Sequence, residues 1–269
     1  MQKEFIIENL PTDFCHASTV IKTPDGLLSC WFGGTHEGKA DVAIWSSRKV
    51  DGKWTAPVKL ADGVESNWNP VLFYNEQGKL HLFYKEGQQI SDWKTYLMTS
   101  VDNGKTWSEP CEMVAGDVSG GRGPVRNKPI SLSNGSVVAG GSIEKGIWSA
   151  FVDVSTDGCF TWEKSAPIEI TGLMYNAGEK TAESNIAVSE QSFYGRGVIQ
   201  PSLWESAAGK VHMLLRSSEG YVYRADSEDY GKTWSDAYKT ELPNNNSGLD
   251  LVKAPFDGNL YLVCNPVQA

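Results

Sequence analysis

Five side chains in the sequence are of the types that transfer protons or bind anions: His16, Glu37, Arg126, Lys128 and Arg216. A histidine titrates near neutral pH and can act as a general acid or base. Glu37 belongs to the glycine-rich loop 33–38, which could place a proton donor over a bound substrate. Arg126 and Lys128 are close enough in sequence to hold one carboxylate, the arginine through its planar fork and the lysine as a point charge. These types favour a site for an acidic small molecule.

A repeated turn predicts the elements that must position these residues. The pattern Ser-x-Asp-x-x-x-Thr-Trp begins at Ser100, Ser155 and Ser227, and a degenerate copy begins at Ser47. Serine and aspartate can bond to local backbone, glycine allows a left-handed turn, and tryptophan fills apolar space beside a hairpin. A catalytic group would not be needed several times at similar spacing, so the repeat predicts a structural turn.

Short β-rich segments surround each turn, and helical periodicity is almost absent. They come in four rounds of four segments, namely 18–22, 27–32, 41–46 and 56–60, then 70–74, 80–84, 95–100 and 110–114, then 128–132, 136–140, 150–155 and 163–170, and finally 197–204, 211–216, 221–227 and 237–242. Four strands per repeat predict an all-β fold, specifically a β-propeller with four full blades. The segments 248–253 and 259–265 predict part of a fifth blade.

We interpret residues 1–269 as a single domain, because closed all-β architectures commonly use this length. The predicted strands end two strands into a blade, so we expect the propeller to be incomplete at its C-terminus. This predicts either an open gap beside residues 249–265 or a closing strand formed by residues 5–9.

A propeller gathers the starts of its inner strands around one axial opening. Those places hold His16, Asn69, Arg126, Lys128, Gln200 and Asp250, which should therefore line one cavity together with Glu37 and Arg216. Asn69 and Gln200 suit the orientation of ligand hydroxyls better than proton transfer. Structural alternatives stay open: a hydrogen-bonded strand histidine at 16, a solvated loop acid at 37, and ion pairs for the cations, with Asp250 or Glu37 as partners.

Other residues are weaker candidates for the ligand site. Trp31, Trp45 and Trp68 could stack on a sugar ring, although filling of the core is equally consistent with their positions. The further candidates are His36, Lys85 and Tyr194, while Asp41 favours a structural role. No group of residues has the spacing of metal ligands, so neither a metal nor another cofactor is expected.

Composition and charge narrow the possible partners. With 40% hydrophobic and 21% charged residues and no apolar run of membrane-spanning length, the chain is expected to be a soluble globular protein. Twenty-four basic against 33 acidic residues argue against a nucleic-acid or anionic-membrane surface. The start of the chain lacks the pattern of a secretory signal, and the five cysteines are odd in number and widely spaced. We therefore expect a cytoplasmic protein with reduced thiols, and the sequence leaves its oligomeric state open.

The repeated turns occur together with five further motifs: His16-Ala-Ser-Thr19, Trp31-Phe-Gly-Gly34, Gly123-Pro-Val-Arg-Asn-Lys-Pro129, Ile199-Gln-Pro-Ser202 and Asn246-Ser-Gly-Leu-Asp250. This combination resembles the sialidase (neuraminidase) superfamily, in particular its bacterial sialidase-like proteins with Asp-box (BNR) repeats. The resemblance covers essentially the whole chain. It implies a six-bladed propeller that cleaves terminal sialic acid, with three arginines on the carboxylate, an aspartate as acid and base, and a tyrosine nucleophile assisted by a glutamate.

The catalytic groups implied by this resemblance carry over only in part. Arg216 matches the second arginine, and Glu37 stands near the place of the acid/base aspartate. His16 and its neighbours occupy the place of the first arginine, and Gln200, which cannot ionise, that of the glutamate. The third arginine and the tyrosine would follow Ala269.

Three functions are compatible with these residues. The first is an exo-glycosidase that hydrolyses a terminal acidic sugar from a glycan, with Glu37 as proton donor and the Arg126, Lys128 and Arg216 cations on the carboxylate. The second is a polysaccharide lyase, in which a cation neutralises a uronate carboxylate and His16 or a tyrosine removes the neighbouring proton. The third is a glycan-binding propeller without catalysis. The expected partner is in each case an acidic carbohydrate.

Overall fold

The computed structural model of the chain describes residues 3–174 and 195–267, and over these residues the protein is all-β. They form nineteen strands and one short 3-10 helix, Ile90–Asp92. The strands belong to two compact units, Met1–Gly121 and Arg122–Ala269. Every strand segment expected from the repeats overlaps an observed strand, which confirms the all-β prediction. Residues 5–9 are irregular, so the expectation that they supply a closing strand is wrong.

The first unit contains two antiparallel sheets. The first consists of β1 (Phe14–Thr23), β2 (Gly26–Gly34), β3 (Ala43–Val50), β4 (Lys53–Trp54) and β5 (Val58–Ala61), and both β4 and β5 pair with β3. The second consists of β6 (Asn67–Tyr74), β7 (Leu80–Glu86), β8 (Lys94–Ser100) and β9 (Cys111–Glu112) in sequential order. The middle strands β2 and β7 are buried along almost their whole length, because apolar side chains cover both of their faces.

The second unit contains one larger sheet and one small sheet. The larger sheet joins β10 (Ile130–Ser131), β11 (Val137–Lys145), β12 (Ile147–Ser155) and β13 (Glu163–Lys164) to β14 (Arg196–Ala207), β15 (Lys210–Ser217), β16 (Tyr221–Ser227) and β17 (Tyr238–Pro243). A two-residue parallel pairing between β12 and β14 connects its halves. The small sheet consists of β18 (Asp250–Lys253) and β19 (Leu260–Val263).

Each unit has its own apolar core. Phe32, Ile44 and Leu82 belong to the core of the first unit, and Val152 and Met213 to that of the second. No helix among the described residues is long and apolar enough to cross a membrane.

The three Ser-x-Asp turns have one geometry, and each lies at the end of the third strand of its round. In the first, the Ser100 hydroxyl accepts the Gly104 N–H at 2.8 Å, and Asp102 accepts the backbone N–H and the hydroxyl of Thr106 at 2.9 and 2.6 Å. The same bonds recur around Asp157 and Asp229. The predicted structural role of the turn is therefore confirmed.

Two successive left-handed residues explain where glycine occurs in these turns. They are Asn103 and Gly104, Gly158 and Cys159, and Tyr230 and Gly231, with φ between 62° and 83°. Glycine adopts this region without steric cost, so it relieves the turn at either of the two positions. The middle copy can therefore carry its glycine one residue earlier than the other two.

Candidate functional site

A β-bulge interrupts three of the strands on which polar residues were singled out. The register shifts between His16 and Thr19 in β1, between Trp68 and Val71 in β6, and between Ile199 and Ser202 in β14. Each bulge contains one non-glycine residue in the left-handed region, Ala17, Asn69 or Gln200, with φ of 54°, 42° and 55°. Such a residue leaves the strand's alternation and re-aims the side chains beside it. The bulges therefore mark where these strands present side chains differently from an ordinary ladder.

Contacts in the second unit fix the bulge of β14. A Cβ added at Gly140 would lie 2.5 Å from Pro201 Cγ, so only glycine allows β11 to approach the bulge this closely. The Asn127 side-chain amide donates to the carbonyl oxygens of Gln200 and Pro201 at 3.0 and 3.3 Å. The close approach of Gly140 and the hydrogen bonds from Asn127 thus fix the backbone at Gln200 and Pro201.

Arg216 lies on β15 opposite Ile199, directly beside this bulge. It is half-buried, and its guanidinium donates from Nε to Asn246 Oδ1 at 3.0 Å and from Nη1 to Gln200 Oε1 at 3.2 Å. Both acceptors are neutral amide oxygens, which orient the guanidinium without neutralising it. The two amides therefore fix the direction of the guanidinium, and the anionic group that acts on it is the Glu144 carboxyl.

A second arginine and one carboxyl group lie near Arg216. Burial lowers the pKa of Arg216, with Glu144 opposing this effect and the positive charge of Arg126 adding to it. Burial also lowers the pKa of Arg126, opposed by Asp250. Burial raises the pKa of the Glu144 carboxyl, while Arg216 and a hydrogen bond from Ser142 oppose the increase. We call Arg126, Arg216, Gln200, Asn246 and Glu144 the arginine cluster.

Lys128 and Asp250 are bound to each other rather than presented to a ligand. The Lys128 ammonium donates to both carboxylate oxygens of Asp250 at 2.8 Å and to the Leu251 carbonyl oxygen at 2.9 Å. Ser202 also donates to Asp250, at 2.8 Å. This is the ion pair that the sequence left open as an alternative, and it ties β18 to the start of β10.

His16 lies among aromatic rings in the first unit. It is exposed on β1 and meets Phe32 edge-on at 5.7 Å between ring centroids. Phe14 is 6.2 Å from the His16 ring and stacks on His36 at 5.9 Å. Two exposed imidazoles thus flank one phenylalanine, an arrangement that could receive the apolar face of a sugar or donate a proton.

The loop that carries Glu37 is held at its base. Asp41 accepts the Thr35 N–H and hydroxyl, both at 3.0 Å, which gives this aspartate a structural role. Gly38 approaches the edge of the Trp68 ring, and its carbonyl accepts a hydrogen bond from Gln88 at 2.6 Å. Glu37 is half-buried at the turn of this anchored loop.

The remaining candidates of the first unit are mostly buried. Asn69 is 9% exposed and Lys85 is fully buried, with the Lys85 ammonium donating to Thr95 Oγ1 at 2.7 Å. Trp31 is 3% exposed and belongs to the core. Trp45 and Trp68 are half-buried and donate to the carbonyl oxygens of Gly33 and Gly87. Tyr194 lies outside the described residues.

The structure thus brings Arg126, Gln200 and Arg216 together, and it adds two groups that sequence reasoning missed. Glu144 was missed because the predicted segment 136–140 ended before the observed end of β11 at Lys145. Asn246 was noticed only as part of a motif, yet its φ of 60° and the run of three asparagines from 244 indicate a turn that can present a side chain. The prediction of one cavity lined by residues of both units stays a prediction. No cluster of metal-ligating side chains is found among residues 3–174 and 195–267.

Similar solved structures share the fold at low sequence identity. A protein of unknown function from Dyadobacter fermentans is 18% identical, with a TM-score of 0.67 over 92% of this chain and 74% of that one. The NanB sialidase of Streptococcus pneumoniae is 13% identical, with a TM-score of 0.71 over 96% of this chain and 58% of that one. The Trypanosoma rangeli sialidase in complex with the inhibitor DANA is 15% identical, with a TM-score of 0.62 over 92% and 43%. This chain therefore spans less than two thirds of either sialidase.

The family assignment comes from a model of repeat sequences. No match was found among curated proteins. The model of the BNR repeat-like domain matches residues 25–269, which is most of the chain. Together with the sialidase-like fold, this match confirms the resemblance seen in the motifs. The chain belongs to the BNR repeat-like domain family.

Proposed function

We propose that this protein is a sialidase-like, carbohydrate-active protein that binds the carboxylate of a terminal acidic sugar through Arg216 and Arg126. One observation carries the proposal: the two hydrogen-bond acceptors on the Arg216 guanidinium are neutral amides, and a second guanidinium lies near it. The positive charges of Arg126 and Arg216 act on each other, with Glu144 opposing, and a ligand carboxylate beside the two guanidinium groups would add to that opposition. A carboxylate accepts two hydrogen bonds from an arginine fork, which suits an acidic sugar such as sialic acid.

The architecture in this proposal is a β-propeller whose blades are the observed sheets. The equivalent bulges in β1, β6 and β14 support it, because they recur at the same place in three of the four rounds of strands. A recurrent bulge at strand starts suits side chains that surround an axial opening. The sialidase-like fold of the chain supports the same arrangement.

The proposed reaction is hydrolysis of the bond that joins the terminal acidic sugar to its glycan, with Glu37 donating a proton to the leaving oxygen. The anchored loop supports this role, since Asp41 and Gln88 hold the backbone on either side of Glu37. A proton donor has to keep its position while the bond breaks. The nucleophile is left unassigned, and His16 is a second candidate for proton transfer.

Glycan binding without turnover is the second candidate function, and Gln200 favours it. The resemblance to sialidases implies a glutamate at this place, and here an amide oxygen accepts from Arg216 at 3.2 Å. An amide cannot take up a proton to activate a nucleophile. The acidic sugar would then be held by the same arginines and released unchanged.

The binding proposal is tested by titrating free sialic acid into the protein in a calorimeter. Arg216→Ala should weaken the affinity roughly 10- to 150-fold, which corresponds to about 1.5–3 kcal/mol for a lost charged hydrogen bond. Arg196→Ala is the matched control, because Arg196 is a half-buried arginine of the same unit that pairs with Glu219. Equal affinities in wild type and Arg216→Ala would overturn the proposed site.

Turnover is tested separately, on a sialylated oligosaccharide and on a uronate-containing polysaccharide. Release of free sialic acid, abolished in Glu37→Gln with binding intact, supports hydrolysis. Binding with no product supports the second candidate. An ultraviolet-absorbing unsaturated uronate would instead establish the lyase reaction and contradict hydrolysis.

A further inference from the structure

A second group of reactive side chains lies on one face of the sheet formed by β14–β17, apart from the arginine cluster. His212 on β15 pairs with Trp204 on β14 and with Asp226 on β16. Ser206 follows Trp204 by two residues, at a shift in register between Glu205 and Ala207. Alternate residues of a strand share a face, so serine, histidine and aspartate form a row across three strands.

The row has the hydrogen bonds of a nucleophile, a base and an orienting acid. The Ser206 hydroxyl lies 2.6 Å from His212 Nε2, and His212 Nδ1 is hydrogen-bonded to Asp226 Oδ1. When Nδ1 carries the proton and donates it to Asp226, Nε2 is left to accept the hydroxyl proton. This is the relation of groups that activates serine in hydrolases on unrelated folds.

Neighbouring groups hold the acid and the ring in place. Burial raises the pKa of Asp226, but hydrogen bonds from Tyr238, His212 and Arg224 lower it more, so that the carboxyl is kept ionised. The Trp204 and His212 rings lie 4.8 Å apart. The Arg224 guanidinium donates to Asp226 at 2.9 Å and also lies 3.0 Å from His212 Nδ1. The base is therefore held in position by its ring contact and by the acid.

The corresponding sheet of the first unit shows that the fold does not require this row. There His81 on β7 pairs with Phe73 and Thr99, in the register that His212 has with Trp204 and Asp226. Asn75 stands at the place of Ser206 and accepts a backbone hydrogen bond from Lys79. His81 is 2% exposed and bonds to a carbonyl oxygen. An exposed serine and an acid thus flank the histidine only in the second of these two sheets.

We propose that Ser206, His212 and Asp226 form a second catalytic site, which hydrolyses short-chain carboxylic esters. Ser206 is exposed at a hairpin, so an ester carried on the surface of a larger molecule can reach it. The Lys253 ammonium donates to the Glu205 carbonyl oxygen at 2.8 Å and lies 3.5 Å from that of Ser206, which places a cation beside the backbone of the proposed nucleophile.

The reaction has two steps. Ser206 Oγ bonds to the ester carbonyl carbon while its proton passes to His212 Nε2, and the bond to the alcohol oxygen breaks as this oxygen takes that proton. Water then attacks the acyl-serine and gives a proton to His212. The acyl–oxygen bond to Ser206 breaks, the serine regains the proton, and the carboxylic acid leaves.

The test is labelling of the whole protein with a fluorophosphonate probe, in which an oxygen–phosphorus bond forms at a nucleophilic serine and fluoride leaves. Mass spectrometry should find the label on the peptide that contains Ser206. Ser206→Ala and His212→Gln should each lower labelling and p-nitrophenyl acetate hydrolysis at least tenfold, and His81→Gln, the matched control in the first unit, should retain both. Melting curves establish that each variant is folded.

Two results would overturn the proposal: no label at Ser206 in the wild type, or equal labelling in wild type and folded His212→Gln. A structural hydrogen-bond network would give one of these results, because it does not raise the nucleophilicity of the serine. Sialic acid binding should be unchanged in Ser206→Ala, so the outcome is independent of the function proposed for the arginine cluster.

Discussion

The sheet β6–β9 of the first unit and the strands β14–β17 of the second share one backbone feature, a β-bulge, but differ in the side chains around it. Both begin with a bulged strand in which an amide residue with positive φ precedes proline, Asn69-Pro70 in one and Gln200-Pro201 in the other. Both place a cation on the next strand, opposite the residue before the bulge. Lys85 is fully buried, and its ammonium donates a hydrogen bond to a threonine hydroxyl. Arg216 is half-buried, and its guanidinium donates to two amide oxygens.

The difference shows that the bulge by itself is not a site. A cation that is sealed in the sheet contributes to packing, and one with a fixed direction and partial access can bind an anion. The same holds for the histidines at equivalent positions of the two sheets. His81 is buried and hydrogen-bonded to a carbonyl oxygen, whereas His212 contacts a serine, an aspartate and an arginine. Whether one of two equivalent positions suits packing or the binding of a ligand depends on the side chains that reach it.

The largest expected effect is on stability. Lys85→Ala should lower the free energy of unfolding by about 2–5 kcal/mol, because it leaves a cavity in place of a fully buried side chain. Arg216→Ala, at the equivalent position, should cost about 1 kcal/mol, since it loses two hydrogen bonds while the lost attraction of Glu144 is offset in part by the relief of repulsion from Arg126. Urea denaturation followed by tryptophan fluorescence measures both. Equal losses in the two variants would contradict the division into a packing cation and a binding cation.

The next effect concerns pH. Burial lowers the pKa of His81 from 6.5 to about 4, with the Lys79 carbonyl opposing this effect. Between these values the unfolded chain binds a proton that the folded chain does not, so stability should fall as the pH falls from about 6.5 to 4. The total loss attributable to His81 is about 3 kcal/mol. His81→Gln, measured by urea denaturation over this range, should show a smaller loss than the wild type, and parallel pH profiles would refute the burial argument.

The smallest expected effect comes from adding a charge at each bulge. Gln200→Glu places a carboxylate beside Arg216, where it competes with the acidic sugar, and affinity should fall about tenfold, or about 1.4 kcal/mol. Asn69→Asp, the matched change in the first unit, should leave sialic acid affinity unchanged. Calorimetric titration checks both. Tighter binding in Gln200→Glu would show that Arg216 does not contact the sugar carboxylate.

Local patterns of the sequence predicted the strands and turns well. Every strand segment overlaps an observed strand, because alternation and turn residues act over a few neighbours. The Ser-x-Asp turns were predicted for the same reason, since their bonds span no more than four residues. The closing strand expected from residues 5–9 failed, because a short apolar stretch does not reveal whether a neighbouring strand is there to pair with it.

The candidate site was predicted only in part. Residue type and strand position were enough to single out Arg126, Gln200 and Arg216. They left open whether Lys128 would bind a ligand or pair with Asp250, 122 positions away, and only the structure decided for the ion pair. Nor did they identify Glu144 or Asn246, because a carboxyl at a strand end and an amide in a turn look like ordinary surface residues until a guanidinium lies beside them.

The sequence by itself therefore determined the all-β class, the repeated turns, the family and the kinds of side chain available for chemistry. Tertiary structure alone decided which of these side chains meet. Strand register and the bulges set the neighbours of Arg216, and register also aligned Ser206, His212 and Asp226 on one face. The physical reason is range: hydrogen bonds and ion pairs act over about 3–4 Å, and only folding brings residues that are distant in the chain within that distance.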